Sequence, residues 1–300
     1  MKVMVSGLVN VETNVRVKEF PIKYFPIDYP FFGVEQSVGG VGYNISKALS
    51  ILGDEVKLYS FTGDDLTAKI IQTELKDNHI DVTHINNTLK ATPQSVALYD
   101  DTGKRQIYCD LKDIQEQTIE ECEGIGDVDI CILCNTNFNR KLLRLAKEAG
   151  KMIATDVHVL SDLEDEYNRD FMEYADILFL SDENIPCSEE EFLLNLAEKY
   201  APQIIVMGRG SKGIIYYDRK VGSVQKMPAI PLGNVVNTIG AGDALFSSFL
   251  HFYIKGAEVS EALMKAQVFA AKKIQSNGAA NGFVTEDEIE ELMKQMIRIE

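Results

Sequence analysis

No run of basic residues, no apolar segment of bilayer length and no regular spacing of cysteines occurs in this chain. Each absence removes a class of protein. The formal charge is −16, so without a basic patch neither a nucleic-acid backbone nor an anionic membrane surface is an expected partner. A membrane-spanning helix needs roughly 18 or more apolar residues in succession, which no segment supplies. The opening "MKVMVSGLVN" is too short an apolar run for a signal peptide and no small-residue cleavage site follows it, so a cytoplasmic location is expected. Five cysteines, an odd number, argue against a disulfide framework. Cys131 and Cys134 do form a CxxC, but "VDICILC" reads as a buried strand in which residues three apart face opposite ways. Free thiols are expected there. The four histidines, His79, His84, His158 and His251, lack metal-ligand spacing and are expected in structural or surface positions.

Hydrophobic side chains are plentiful, at 45% of 300 residues, which is ample for a large core. Apolar runs alternate with segments of helical period. "KVMVSG", "EVKLYSFTG", "DICILC", "KMIATD", "DILFLS" and "QIIVMG" read as strands. "NISKALSILG", "DDLTAKIIQTELKDN", "RKLLRLAKEAG", "YNRDFMEYA" and "SEEEFLLNLAEKY" read as the helices between them. That alternation predicts an α/β fold around a largely parallel sheet. Two excursions, residues 11–38 and 92–110, break the pattern and look like antiparallel strands, the second a hairpin turning at Asp101 to Lys104. They predict a small β lid built from one domain spanning residues 1–300. Three helices close the chain, the last opening with Thr285 and Glu288 at capping-box spacing.

The stretch "NTIGAGDALFSSFL" carries the chemistry. It follows "VVN", read as a strand end, and opens a helix, so Gly240, Ala241 and Gly242 lie where backbone N–H groups have no intrahelical acceptor. Such N–H groups and the helix dipole make an anion site that small residues leave open to a phosphate. Asp243 stands in the first turn beside it. It either stabilises the helix N-terminus or accepts the proton of a hydroxyl attacking a bound phosphoryl group. A second stretch, "GGVGYNISKALSILG", pairs Gly39 and Gly40 with Asn44 on the next helix, where backbone can approach a ligand and an amide can bind sugar hydroxyls.

Together these stretches resemble the ribokinase (PfkB-type) family of carbohydrate and nucleoside kinases. The resemblance extends in order through "GLVNVETNVRV", "FTGDDLTAKIIQTELKDNHIDV", "VMGRGSKGIIYY" and "SNGAANGFVTEDEIEEL". It implies a three-layer ribokinase-like fold, mostly parallel sheet flanked by helices, with a β lid over an acceptor site, and ATP-dependent phosphorylation of a primary alcohol. It makes Asp243 the catalytic base and Gly240, Ala241 and Gly242 the anion hole. Glu12, where relatives usually carry Asp, would contact the acceptor together with Gly39, Gly40 and Asn44. Asn135 would either contact the acceptor or cap the following helix. Asp182, Gly208, Gly210, Gly213, Thr238, Gly278 and Ala279 would line the ATP site; for Gly210 to Gly213, an ordinary turn into a hairpin is the alternative.

Departures from the family pattern shape the expectation. Asn237 replaces an acid that in relatives helps hold a monovalent cation beside the anion hole, which argues against potassium activation. In "LSDENIP" the family's Asn-x-x-Glu arrangement around magnesium is missing, with Ile185 in its fourth place. Asp182 and Glu183 remain as Mg²⁺ ligands. Val41 follows the glycine pair where relatives acting on sugar phosphates tend to carry lysine, so an unphosphorylated acceptor is expected, a sugar or, alternatively, a nucleoside. The aromatic segment "YFPIDYPFFGVEQ" either stacks on a base or is buried in a homodimer through the lid. Asp156 and His158 lie after a strand on the ligand-binding edge and have no assigned use. Asn237 and Ile185 also leave room for a catalytically silent sugar or nucleotide sensor.

Overall fold

The computed structural model describes residues 1–102 and 104–297. In chain order the elements are β1 (Lys2–Ser6), β2 (Asn10–Arg16), β3 (Val34–Gly39), α1 (Val41–Ile51), β4 (Glu55–Phe61), α2 (Leu66–Asp77), β5 (Ile85–Asn86), β6 (Gln94–Tyr99) and β7 (Arg105–Asp110). After them come β8 (Ile130–Leu133), α3 (Arg140–Glu148), β9 (Met152–Asp156), α4 (Arg169–Tyr174), β10 (Ile177–Ser181), α5 (Glu189–Tyr200) and β11 (Ile204–Gly208). The chain continues through β12 (Ile214–Asp218), β13 (Ser223–Met227), α6 (Ala241–Ile254), α7 (Val259–Lys273) and α8 (Glu286–Ile297).

The main sheet runs β13-β12-β11-β10-β9-β8-β1-β4-β5 and is parallel from β11 to β5. Only the β11-β12-β13 meander is antiparallel. The parallel strands are apolar on both faces because helices cover both. In β1, Val3 and Val5 enter one core cluster and Met4 the other. Cys131 and Cys134 likewise fall in opposite clusters, both as free thiols. One layer contains α1, α2, α6, α7 and α8, and the other α3, α4 and α5. After β1 the chain therefore enters one layer and after β8 the other. Such a switch point leaves a crevice outside the carboxyl ends of the neighbouring strands.

The lid is a second sheet, β3-β2-β6-β7. Its outer pairs are antiparallel as expected, but β2 and β6 pair in parallel, because both leave the same carboxyl edge of the main sheet. The turn glycine of the β6-β7 hairpin, Gly103, lies outside the described residues. A further difference concerns Val235 to Asn237, which form no strand; the N–H groups of Val236 and Asn237 both donate to the Ile274 carbonyl, at 2.8 and 3.0 Å. A single acceptor serving two adjacent donors curls the chain instead of extending it. The capping box of α8 is formed, with Thr285 N–H donating to Glu288 Oε2 at 2.7 Å and Glu288 N–H to Thr285 Oγ1 at 3.4 Å. No described helix is long and apolar enough to cross a membrane.

Candidate active site

Helix α6 is buried along most of its length, and its first turn is set by Gly240. That residue has φ +76°, and a Cβ there would lie 2.2 Å from the Ala279 carbonyl oxygen, so only glycine lets the two segments meet. Gly278 and Ala279 are thereby brought onto the anion loop. Asn237 Oδ1 accepts the Ile239 N–H at 2.8 Å, and the Thr238 carbonyl accepts the Ala241 N–H at 3.1 Å. The sequence assigned the anion hole to Gly240, Ala241 and Gly242, yet the amide of Ala241 already has an acceptor. The N–H groups of Gly242 and Asp243 are the first-turn donors without an intrahelical partner, and Gly242 faces open space.

Asp243 is 9% exposed, and its Oδ2 accepts from Asn44 Nδ2 at 2.7 Å. Burial holds its carboxyl above the usual carboxylate range, although His158, the Asn44 hydrogen bond and Lys273 all pull the other way. Asn44 is aimed by α1, whose start is pressed against the chain leaving β1. Gly42 N–H donates to the Leu8 carbonyl at 2.9 Å, and a Cβ on Gly40 would fall 2.5 Å from that same oxygen. Close approach therefore explains the glycine pair. A Cβ on Gly39 would sit 3.1 Å from Glu12 Oε2 and 3.2 Å from Asn10 Oδ1, which puts Glu12, Asn10 and Gly39 in one corner. Burial raises the Glu12 pKa and the Arg105 guanidinium of the lid opposes it.

Asn10 was not singled out from the sequence. It lies two residues before Glu12 on β2, hence on the same strand face, and that period was the available signal. Its Nδ2 donates to Ser95 Oγ of the lid at 3.1 Å, while its Oδ1 is buried without a partner. Asn44 Oδ1 is also buried and unpartnered. Two such oxygens near a carboxylate fit a ligand that donates hydroxyl protons.

Asn135 does not cap the following helix. Its Nδ2 donates to Asn168 Oδ1 at 3.0 Å and its carbonyl accepts from Tyr167, while the α3 N-terminus falls at Asn139. Asp156 and His158 do join the site. His158 Nδ1 lies 3.6 Å from Asp156 Oδ2, and both residues act electrostatically on Asp243. The closeness of these two residues to Asp243 on α6 comes from the tertiary structure.

A cavity of about 430 Å³ is lined by Asp182, expected at the ATP site, with Ile185, Cys187, Ser188, Glu189, Glu190, Lys212 and Lys226. Two ammonium groups beside carboxylates suit a phosphate chain carrying a divalent ion. Asp182 lies 3.4 Å from Lys212, and Arg209 pairs with Glu189 at 2.9 Å. Glu183, expected beside Asp182 as a Mg²⁺ ligand, is exposed and outside that lining. Among the described residues no group of three or more metal-type ligands is assembled. The donor set fits Mg²⁺ arriving with a nucleotide through one or two carboxylates, Asp182 first. Gly208 ends β11, and Gly210 and Gly213 form the turn into β12, where Arg209 N–H donates to the Gly213 carbonyl at 2.9 Å.

The chain is similar to known proteins over most of its length. The acarbose kinase Mak1, microbiome-derived, superposes with a TM-score of 0.88 at 25% identity over 98% of each chain. A 5-dehydro-2-deoxygluconokinase of Clostridium perfringens is 25% identical over 86% of this chain and 84% of its own. The ribokinase of Lactococcus lactis is 26% identical over 98% of both. The model of the pfkB family of carbohydrate kinases matches residues 1–286. With that model matching almost the whole length, the chain belongs to the pfkB family, and it is an ATP-dependent kinase.

Proposed function

We propose that the protein transfers the γ-phosphoryl group of ATP to a hydroxymethyl group of a small unphosphorylated sugar. The observation that carries this reading is the pairing of buried Asp243 with Asn44 beside the unpartnered Asn10 and Asn44 oxygens. In this reading Asn10, Glu12 and Asn44 hold the acceptor hydroxyls, and Asp243 takes the proton from the attacking one. The hydroxyl oxygen forms a bond to the γ-phosphorus as the bond to the ADP oxygen breaks. The N–H groups of Gly242 and Asp243 receive the charge on the transferred group. Mg²⁺, held near Asp182 with the nucleotide, would neutralise phosphate charge. A carboxyl pKa raised by burial makes Asp243 a stronger base toward the attacking hydroxyl.

A nucleoside acceptor is the second reading, favoured by the exposed lid aromatics Tyr24, Phe25, Tyr29, Phe31 and Phe32. The same surface supports a homodimer through the lid, since an apolar patch of this size is rarely left in water. Sedimentation velocity of the wild type and of a Phe31→Ser, Phe32→Ser double variant tests it, with dissociation expected.

The test of the reaction is ADP release from MgATP with a pool of ribose, fructose, adenosine, inosine and pseudouridine. Acceptor-dependent ADP that disappears in Asp243→Asn upholds the proposal. ADP release that persists in that variant would remove Asp243 from the mechanism, and calorimetric ligand binding without turnover would point to a sensor.

A further inference from the structure

Lys273 ends α7 with no exposed surface, the one lysine so placed among the described residues. Its ammonium donates to the carbonyl of Ile239, the residue immediately before Gly240. The charged group that acts on it is the Asp243 carboxylate, which supports the protonated form against the burial that lowers its pKa. A buried ammonium without a close salt-bridge partner is expensive to keep, and it sits directly behind the anion loop.

The surroundings also exclude the ion that the family resemblance implies. A monovalent cation beside the anion hole needs oxygen ligands, and the oxygens at this place are already engaged. Asn237 Oδ1 takes the Ile239 N–H, the Ile239 carbonyl takes the Lys273 ammonium, and the Ile274 carbonyl takes the N–H groups of Val236 and Asn237. Asn237 adds no charge either. The donor set does not fit a bound potassium ion.

We infer that the Lys273 ammonium is a built-in replacement for that ion. It fixes the Ile239 carbonyl on the helix side of the loop, so that the amides that follow are held toward the anion pocket, and at neutral pH it brings a positive charge close to the developing phosphate charge. Lys273 is thus a positioning residue. The inference rests on the phosphoryl-transfer reading, and it predicts a kinase indifferent to potassium.

The test uses the full chain as wild type, Lys273→Ser and Lys273→Met, each in potassium chloride, ammonium chloride or choline chloride at equal ionic strength. Two readouts are taken, the calorimetric melting temperature and ADP release with the acceptor pool. The wild type is expected to give the same values in all three salts. Lys273→Ser, which opens a space, should lose at least about tenfold in kcat in choline and recover part of it, with a higher melting temperature, in potassium or ammonium. Lys273→Met, which fills the space without charge, should lose a similar factor and recover in no salt while melting cooperatively. Potassium-stimulated wild-type turnover, a folded Lys273→Ser without rescue, or a Lys273→Met with wild-type kcat would each overturn the inference. Should no acceptor yield ADP, the acceptor reading alone fails, because the melting temperatures still decide: a wild type stabilised by potassium overturns the built-in cation, and stabilisation confined to Lys273→Ser upholds it.

Discussion

Replacing Lys273 by methionine keeps the aliphatic volume and removes a charge that the fold penalises. The lysine pKa falls from 10.5 to about 8 on burial, and at roughly 1.4 kcal/mol per pH unit the penalty is about 3 kcal/mol. Its sign with pH is fixed by where the proton resides. Below the folded pKa both folded and unfolded chains hold it, and the native state bears the full penalty. Between about 8 and 10.5 only the unfolded chain holds it, so unfolding takes up a proton and stability rises with pH. Above that window neither state is charged and the penalty is gone. Methionine has no such dependence. The stability of Lys273→Met relative to wild type should therefore be greatest at pH 7 and shrink by most of those ~3 kcal/mol by about pH 10. Urea unfolding followed by far-ultraviolet circular dichroism at the two pH values gives this double difference. Asp243, the charged group that acts on Lys273, is present in both proteins and cancels to first order. Parallel stability curves for the two proteins would refute the argument, because they would mean that Lys273 is already neutral or well solvated in the fold. A variant that gains stability at pH 7 while losing turnover would show that the site keeps its charge at the expense of the fold.

Asp243→Asn should lower kcat by about 10²- to 10⁴-fold with calorimetric ATP affinity nearly unchanged, and wild-type kcat should fall as acid protonates the raised carboxyl. That variant should be no less stable at pH 7, since burial disfavours the ionised aspartate it removes. Gly240→Ala should lower both melting temperature and kcat: the left-handed backbone alone costs ~1–2 kcal/mol, and its Cβ meets the Ala279 carbonyl at 2.2 Å. Phe249→Ala, in the core of α6 against Phe179, should cost about 3–5 kcal/mol by urea unfolding.

The strands and helices of the main sheet were legible because parallel strands covered on both faces are continuous apolar runs, while the surface helices keep a polar stripe. "DICILC" and "RKLLRLAKEAG" could hardly be exchanged. The lid was legible as β structure, but not the parallel pairing of β2 with β6, since registry between segments some 80 residues apart leaves no local mark. "VVN" misled because β-branched residues favour strands only where a neighbouring strand exists. Here the neighbour is a helix end, and both amides go to one carbonyl. In the site, Asp243, Asn44 and the glycine pair were visible through spacing. Lys273 was not, because "AAKKIQ" reveals nothing of which side chain turns inward at the end of its element. Asn10 was within reach, two positions from Glu12 on the same face.

The layering of the sheet bears on how this chain is made. β1 lies inside the main sheet and is made before any of the helices, yet the core cluster on one of its faces includes residues of α6, α7 and α8, which are made after the other elements described. Val3 and Val5 share a core cluster with Phe249, Phe269 and Ile289. The opposite layer, α3 to α5, can close on its strands as they appear. The first layer gains α1 and α2 early but is completed only once α6, α7 and α8 are made, so part of its apolar surface stays exposed until then. Asp243 and Lys273 belong to those later helices, so the base and the buried charge that we propose are among the last parts of the proposed site to be made.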